Sequence, residues 1–535
     1  MKPVSHSKAG PTRRAVLAAG AAATLAAPAL AQSANARTLR LVPQASLTAL
    51  DPIWTTASVT TAHGYHVFDT LYSVDSKLRP QPQMAEGHTV SDDGRTWTIR
   101  LREGLRFHDG EPVRATDCIA SLQRWAKRDS FGQTMAPRVD AWEAADDRTI
   151  RLRLNRPFAP LLDALAKSAS VVPFIMPERL AKTDANTQVS EVVGSGPYRF
   201  LRDEFVSGNR VAYARFDGYR PRAEAASFTS GGKRAHFDRV EWTIMPDAAT
   251  AAGALRNNEI DWWEFALPDL APVLRRDSGI TVEQVDDLGF ISIMRFNALH
   301  PPFNNPRLRH EVLASIDQAD YMRAVNGDTV RWQRCASFFP CGLPFVNEVG
   351  ASIMNTPRDI AKSREAIKAA GYNGERIVLM NPGDFPSIAP LGEITADRLQ
   401  RIGMNVDLQT MDWGTVGQRR TSKAPIDQGG WNIFHTWTTS NSITNPALNY
   451  YVRGQGATGW FGWYENAEIE RLTDEWTQAS TDAAKQAAFD AIQRIALETA
   501  PIVPLGQYYP ITAHRASLVD RIPATNPLPW NIRRV

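Results

Sequence analysis

Cysteine is scarce in this chain: Cys118, Cys335 and Cys341 are the only three. They form no Cys-x-x-Cys pair and have no His-x-x-x-His partner, which argues against a structural zinc site. Beyond Ala31 no stretch approaches the roughly 18 apolar residues of a membrane span. No Gly-x-x-x-x-Gly-Lys-Ser/Thr element occurs, so nothing here hydrolyses ATP. No Ser-His-Asp order, nucleophile elbow or metal motif stands out, which argues against an enzyme. A more local absence concerns charge. Gln428–Val452 (QGGWNIFHTWTTSNSITNPALNYYV) carries no formal charge, although charged residues make up 22% of the chain. About five would be expected in a window of this length. In their place stand Trp431, Phe434, Trp437, Tyr450 and Tyr451 among short amides and hydroxyls. Flat apolar faces interleaved with hydrogen-bonding groups suit a small-molecule pocket. A strand and loop with buried aromatics has the same composition.

The length of 535 residues exceeds one compact core and implies at least two lobes. A hydrophobic content of 43% and a mean hydropathy of −0.31 fit a soluble globular protein. The net charge of +3 is concentrated at the start, where residues 1–31 hold Lys2, Lys8, Arg13 and Arg14 and no acid. Without them the chain is near neutral, so nothing favours nucleic acid as a partner. Thr12-Arg13-Arg14 leads into an alanine-rich run, and Ala29-Leu30-Ala31 reads as a cleavage site. Residues 1–31 are therefore expected to be a twin-arginine (Tat) export signal, cleaved near Ala31, which implies a periplasmic protein. In an oxidising compartment Cys335 and Cys341 are expected to pair; two isolated thiols are the alternative. Cys118 sits in a helical pattern and reads as a buried apolar residue. His63 and His66 lie one turn apart with no third ligand nearby, so core or surface positions outweigh a metal site.

Along the chain, strands and helices alternate. Trp97, Ile99 and Leu101 alternate with Thr98, Arg100 and Arg102, as do Ile150, Leu152 and Leu154 with Arg151 and Arg153. Both read as half-buried strands. Thr116 is placed to cap a helix running to about Arg128. Val193–Phe200 (VGSGPYRF) has paired glycines that permit unusual backbone angles, and a strand follows, so the dinucleotide-binding reading fails. Val240–Ile244, Asp247–Asn257 and Ile260–Trp263 make a strand–helix–strand unit. Helix and strand alternate again after about Val282.

The segments MAEGHTVSDDGRTWTIRLREGLRFHDGEPVRATD (Met84–Asp117), GSGPYRF (Gly194–Phe200), FDGYRP and PFNNPRLRHEVLASID (Pro302–Asp317) resemble an ordered family signature. Gly371-Tyr372 and Ile402–Val406 fit it too. The family is the periplasmic solute-binding proteins of peptide-type ABC importers, the extracellular family 5 group. The resemblance implies an α/β fold of two lobes, a type II periplasmic-binding-protein fold with an extra subdomain in the first lobe. The implied divisions are 37–68 for the first part of lobe 1, 69–193 for the extra subdomain and 194–285 for the second part of lobe 1. Residues 286–510 would form lobe 2, and 511–535 would return to lobe 1. A solute is expected in the cleft between the lobes, which close by hinge motion. It would then pass to a permease with separate ATPase subunits. A monomer is expected, without cofactor or bound metal.

The resemblance also directs attention to residues. Trp413 and the stretch Trp437, Thr438, Ser440 and Asn441 match cleft-wall segments of peptide-binding relatives. Phe131 lies where relatives contribute an aromatic, and Gln44, Ala45, Ser46, Tyr508 and Tyr509 line or flank the cleft. Relatives carry an Asp three residues after the second Trp, paired with the ligand's ammonium. Here no acid lies between Asp427 and Glu465. A hydroxyl does not replace that charge, which puts a free-amino peptide in doubt. Competing ligands are oligosaccharides, opines and metal chelates, and an anionic one would use Arg419, Arg420 or Arg453. Trp437→Ala is expected to weaken binding far more than it lowers the melting temperature.

Overall fold

The computed structural model describes residues 37–356 and 359–535, so the export signal lies outside the described residues. Thr38–Val42 (TLRLV) alternates outward polar side chains with the buried Leu39 and Leu41. It pairs in parallel with Arg239–Thr243 on one side and Trp262–Trp263 on the other. The helix Ala248–Arg256 joins those two neighbours, and the Asp247 carboxylate caps it by accepting the Thr250 N–H at 2.7 Å. Parallel strands need such a crossover. The late strand Ile511–Arg515 inserts antiparallel between Trp262–Trp263 and Ile280–Gln284. With Tyr198–Phe200 and Arg210–Arg215 this makes a seven-stranded sheet.

A six-stranded sheet forms the second layered unit. Its order is Trp332–Gln333, Ile502–Tyr508, Phe290–Phe296, Ile433–Thr439, Arg376–Pro382, Asn405–Met411. Every residue of Phe290–Phe296, Ile433–Thr439 and Ile502–Tyr508 is buried. Central strands covered on both faces tolerate little charge. Much of the charge-free run follows from this position, since Ile433–Thr439 is such a strand.

A four-stranded antiparallel sheet (Ala85–Val90, Thr96–Leu101, Thr149–Leu154, Val139–Asp146) carries the helix Ala115–Ala126. Trp97, Ile99, Leu101, Ile150, Leu152 and Leu154 all face its core. Thr116 is not the cap of that helix. Arg114 holds the cap position, and the Asp117 carboxylate accepts its backbone N–H at 2.7 Å. Arg124 ties this unit to the start of the chain through two hydrogen bonds to Asp51, at 2.6 and 3.0 Å. Both residues are buried, and Asp51 also accepts the Val189 N–H. Cys118 is buried in the same helix.

Gly194 and Gly196 do not adopt left-handed backbone; among the described residues their φ values are not positive. Close approach is the reason for glycine here. A Cβ on Gly194 would lie 2.1 Å from the Val67 carbonyl oxygen, and one on Gly196 within 2.8 Å of three backbone atoms of Val67 and Phe68. The Gly196 N–H also donates to Val67 O at 2.8 Å. Gly196→Ala must push two backbones apart and is expected to cost about 1–3 kcal/mol. Urea denaturation checks this, and an unchanged midpoint would remove the close-approach explanation.

The two large sheets are joined by two connecting segments that run side by side. Val285–Gly289 leads from Ile280–Gln284 to Phe290–Phe296, and Tyr509-Pro510 leads from Ile502–Tyr508 to Ile511–Arg515. The Val285 N–H donates to Pro510 O at 2.8 Å. Asp286 Oδ1 accepts the N–H groups of Leu288 and Gly289, where φ is +73°. Cys335 and Cys341 are joined by a disulfide beside Gln318 and Gln507.

Candidate functional site

The site begins at the end of a buried strand. Trp437, in Ile433–Thr439, donates its indole N–H to Ser387 Oγ at 3.0 Å. Phe385 lies in the loop after Arg376–Pro382, with its ring nearly parallel to Trp437 (6.3 Å, 20°) and to Trp413 (5.3 Å, 17°). Trp413 opens the helix Trp413–Arg419, which Asp412 caps, and its own N–H donates to Asp384 at 2.8 Å. Three flat rings thus stand in a row, Trp413, Phe385 and Trp437. Arg420 follows the helix and lies over the Trp413 ring at 5.5 Å.

From the first lobe, Gln44, Ala45, Thr56 and Ala57 face this row across a narrow cavity of about 30 Å3, closed elsewhere by Arg420, Thr436, Tyr450, Tyr451 and Trp460. That is room for about two waters. The cavity continues in both directions. Through Gln44 and Phe385 it adjoins an apolar chamber of about 110 Å3 that includes Met245, Trp263, Val325, Val330 and Tyr508. Through Thr56, Tyr450 and Trp460 it adjoins a polar chamber of about 480 Å3, between Lys127–Gln133 and Thr421–Trp463. The three form one cleft between the large sheets, and the polar chamber also touches the unit carrying the four-stranded sheet.

Of the expected residues, Trp413, Trp437 and Ala45 line the central cavity, and Tyr508 lines the apolar chamber. Thr438 does not line these cavities. Its Oγ1 bonds the Tyr450 hydroxyl at 2.9 Å, and that hydroxyl lies 3.3 Å from Ser170 Oγ. Asn441 is turned the same way, donating to Ser168 Oγ at 3.1 Å. These contacts fasten the six-stranded sheet to the segment Ser168–Ser170. Ser440 is fully buried, with Oγ unpartnered among the described residues. Phe131 is a core residue packed on Phe158, in the short helix Ser130–Met135 that Asp129 caps. Ser46 lies outside the three cavities, near Gly208. Tyr509 packs under Arg331 at 3.9 Å. His63 and His66 are core residues, bonded to Tyr213 and to Ala62 O.

Phe385, Trp460 and Thr56 were not legible as site residues. Phe385 and Thr56 sit in irregular loops with no periodic pattern. The run GWFGW around Trp460 was the one available signal.

The three arginines part company here. Arg453 forks onto Glu470 at 2.6–3.2 Å and donates to Ser130 and Thr134 across the cleft. Arg419 holds the carbonyls of Gly429 and Gly430 and the Gln409 side chain. Arg420 is buried, and among the described residues it has no carboxylate partner. Burial lowers its pKa to about 10. No acid lines the central cavity. Glu264, just behind Gln44, accepts the Gln44 N–H at 2.8 Å; burial raises its pKa to about 8, so it is largely neutral at pH 7.

Comparisons agree with this architecture. The family model for bacterial extracellular solute-binding proteins, family 5 Middle, matches residues 79–460. A probable peptide ABC transporter periplasmic-binding protein of Sinorhizobium fredii is 35% identical over 525 residues, 97% of this chain and 98% of its own. The glutathione-binding protein of Escherichia coli K12 is 25% identical over 496 residues, covering 88% of this chain and 89% of its own. Among solved structures, the A. tumefaciens R10 binding protein AgaA with agropinic acid superposes with a TM-score of 0.79 at 20% identity. The match covers 93% of this chain and 99% of that one. The Pseudoalteromonas dipeptide-binding protein with Met-Leu gives 0.78 at 19%, over 93% and 100%. The fold is therefore the two-lobed binding-protein fold, and the chain belongs to the bacterial extracellular solute-binding proteins of family 5.

Proposed function

We propose that this protein is the periplasmic solute-binding component of an ABC importer, exported by a Tat-type signal cleaved near Ala31. It captures a peptide or peptide-like solute in the cleft and delivers it to a membrane permease driven by separate ATPase subunits. The observation that carries this reading is the row of Trp413, Phe385 and Trp437 at the junction of two sheets joined by paired crossovers. Flat rings bind apolar and planar groups of many solutes, and paired crossovers permit the lobes to open. The names of the Sinorhizobium and Pseudoalteromonas proteins support a peptide. The acid-free central cavity favours a second reading, a non-peptide solute such as an opine, and agropinic acid in AgaA is of that kind.

The protein acts as a monomer and turns nothing over. Native mass spectrometry of protein isolated from the periplasm is expected to show one small solute per chain. Deleting the gene is expected to abolish uptake of that solute. Conversion of the solute by the pure protein, or unchanged uptake in the deletion strain, would sink the reading.

A further inference from the structure

We propose that Arg420 is the receptor for a carboxylate of the bound solute, and that the solute brings no free ammonium into the central cavity. This rests on the importer reading and narrows its solute class to acids whose amine is masked or missing.

Arg420 is 4% exposed and lines the cavity. Its Nε has no partner among the described residues, and its one hydrogen-bonding approach is from Nη2 to Thr55 Oγ1 at 3.5 Å. Rings surround it instead: Phe461 at 4.6 Å, Trp413 at 5.5 Å and Phe434 at 5.9 Å. Ring faces hold a cation in place but leave its planar donor edge unused. A buried arginine without a carboxylate bears a desolvation cost that a bound anion removes. The fork geometry of a guanidinium matches the two oxygens of a carboxylate.

The acids around the cleft point the same way. Asp129 accepts from Lys167 and caps its own helix. Asp384 is exposed at the rim of the apolar chamber and holds the Trp413 N–H. Glu264 lies behind Gln44 rather than on the cavity wall. None of them offers a charge beside Arg420 to an ammonium. Of the rings lining the central cavity, Trp413 already carries the Arg420 guanidinium on its face.

The test uses the mature protein and three matched mixtures: N-acetyl dipeptides, their C-terminal amides, and free dipeptides. Thermal shift ranks the mixtures, and calorimetry follows with individual members. The N-acetyl acids are expected to bind, with their amides and the free dipeptides on the order of 100-fold weaker. Arg420→Met is expected to lose the acids by a similar factor while melting no lower than wild type, since it removes an unpaired buried charge. Arg420→Lys is expected to fall between the two. Equal binding of acids and amides, tighter binding of free dipeptides, or full affinity in Arg420→Met overturns the assignment and leaves the importer reading standing. Silence of all three mixtures also overturns it. Silence together with no solute in native mass spectrometry counts against both.

Discussion

Truncating Trp437 to alanine lowers the stability of the empty protein by about 3–5 kcal/mol and weakens solute binding in the same variant. The expectation from sequence was a selective loss of binding. The structure makes Trp437 a wall of the cleft and a core residue at once. Its ring is 8% exposed and meets Phe290 at 4.8 Å, Phe265 at 5.7 Å and Phe385 at 6.3 Å. Its strand partner Ser292 lies in a strand buried throughout. Removing the indole leaves a cavity between two central strands and strips Ser387 of its donor. Trp413 is the contrast. It is half-buried at the start of a short helix and rests on Phe385 and Arg420. Urea denaturation with calorimetry checks the pair. A Trp437→Ala protein as stable as wild type would show that the strand closes over the gap and that packing is not the residue's role.

Stability of the empty protein peaks near pH 6.5 and declines on both sides. On the alkaline side the cause is Glu264. It is buried, one carboxylate oxygen takes the Gln44 N–H, and the other has no partner among the described residues. Burial raises its pKa from 4.5 to about 8. Between those values the folded protein holds a proton that the unfolded chain has released. The Glu264 contribution to stability therefore falls as pH rises toward 8, by up to about 1.4 kcal/mol per pH unit. On the acid side His63, His66 and His435 are buried, and burial lowers each pKa from 6.5 to about 3. Below pH 6.5 the unfolded chain takes up protons that these rings refuse, so stability falls with acidification. Asp286, raised to about 6 mainly by burial, offsets part of that fall between pH 4 and 6. Glu264→Gln keeps the planar shape of the carboxyl, has no charge to bury and is expected to flatten the limb from pH 6.5 to 8. Denaturant midpoints at pH 5, 6.5 and 8 decide it. A wild type that gains stability from pH 6.5 to 8 rejects the assignment.

The strands of the four-stranded sheet were legible because one face is wet. Trp97, Ile99 and Leu101 alternate with polar residues, and a period of two is visible without neighbours. The central strands of the six-stranded sheet lack that alternation, being covered on both faces. In Ile433–Thr439 and Ile502–Tyr508 the signature is missing charge, which marks burial without saying whether it faces core or cleft, whereas Phe290–Phe296 carries Arg295, buried and bonded to carbonyls. Within one such run, Thr436, Trp437, Tyr450 and Tyr451 reach the cavity, Trp431 is core, and Thr438 and Asn441 bond to the neighbouring unit. The glycines of GSGPYRF were recognisable as necessary. Their reason, contact with Val67 and Phe68, involves residues more than a hundred positions away.

By itself the chain determined the family, the two-lobed α/β fold and the absence of an acid after Trp437. These live in local pattern and in motif order, which survive without coordinates. Which of the three arginines lacks a carboxylate or carbonyl partner among the described residues was decided only by tertiary structure. Arg419, Arg420 and Arg453 are alike as letters. Packing gives Arg453 a glutamate, gives Arg419 two carbonyls, and leaves Arg420 buried among rings beside an empty space. A charge's partner is a matter of distance in space, and distance across a cleft is not written in sequence spacing.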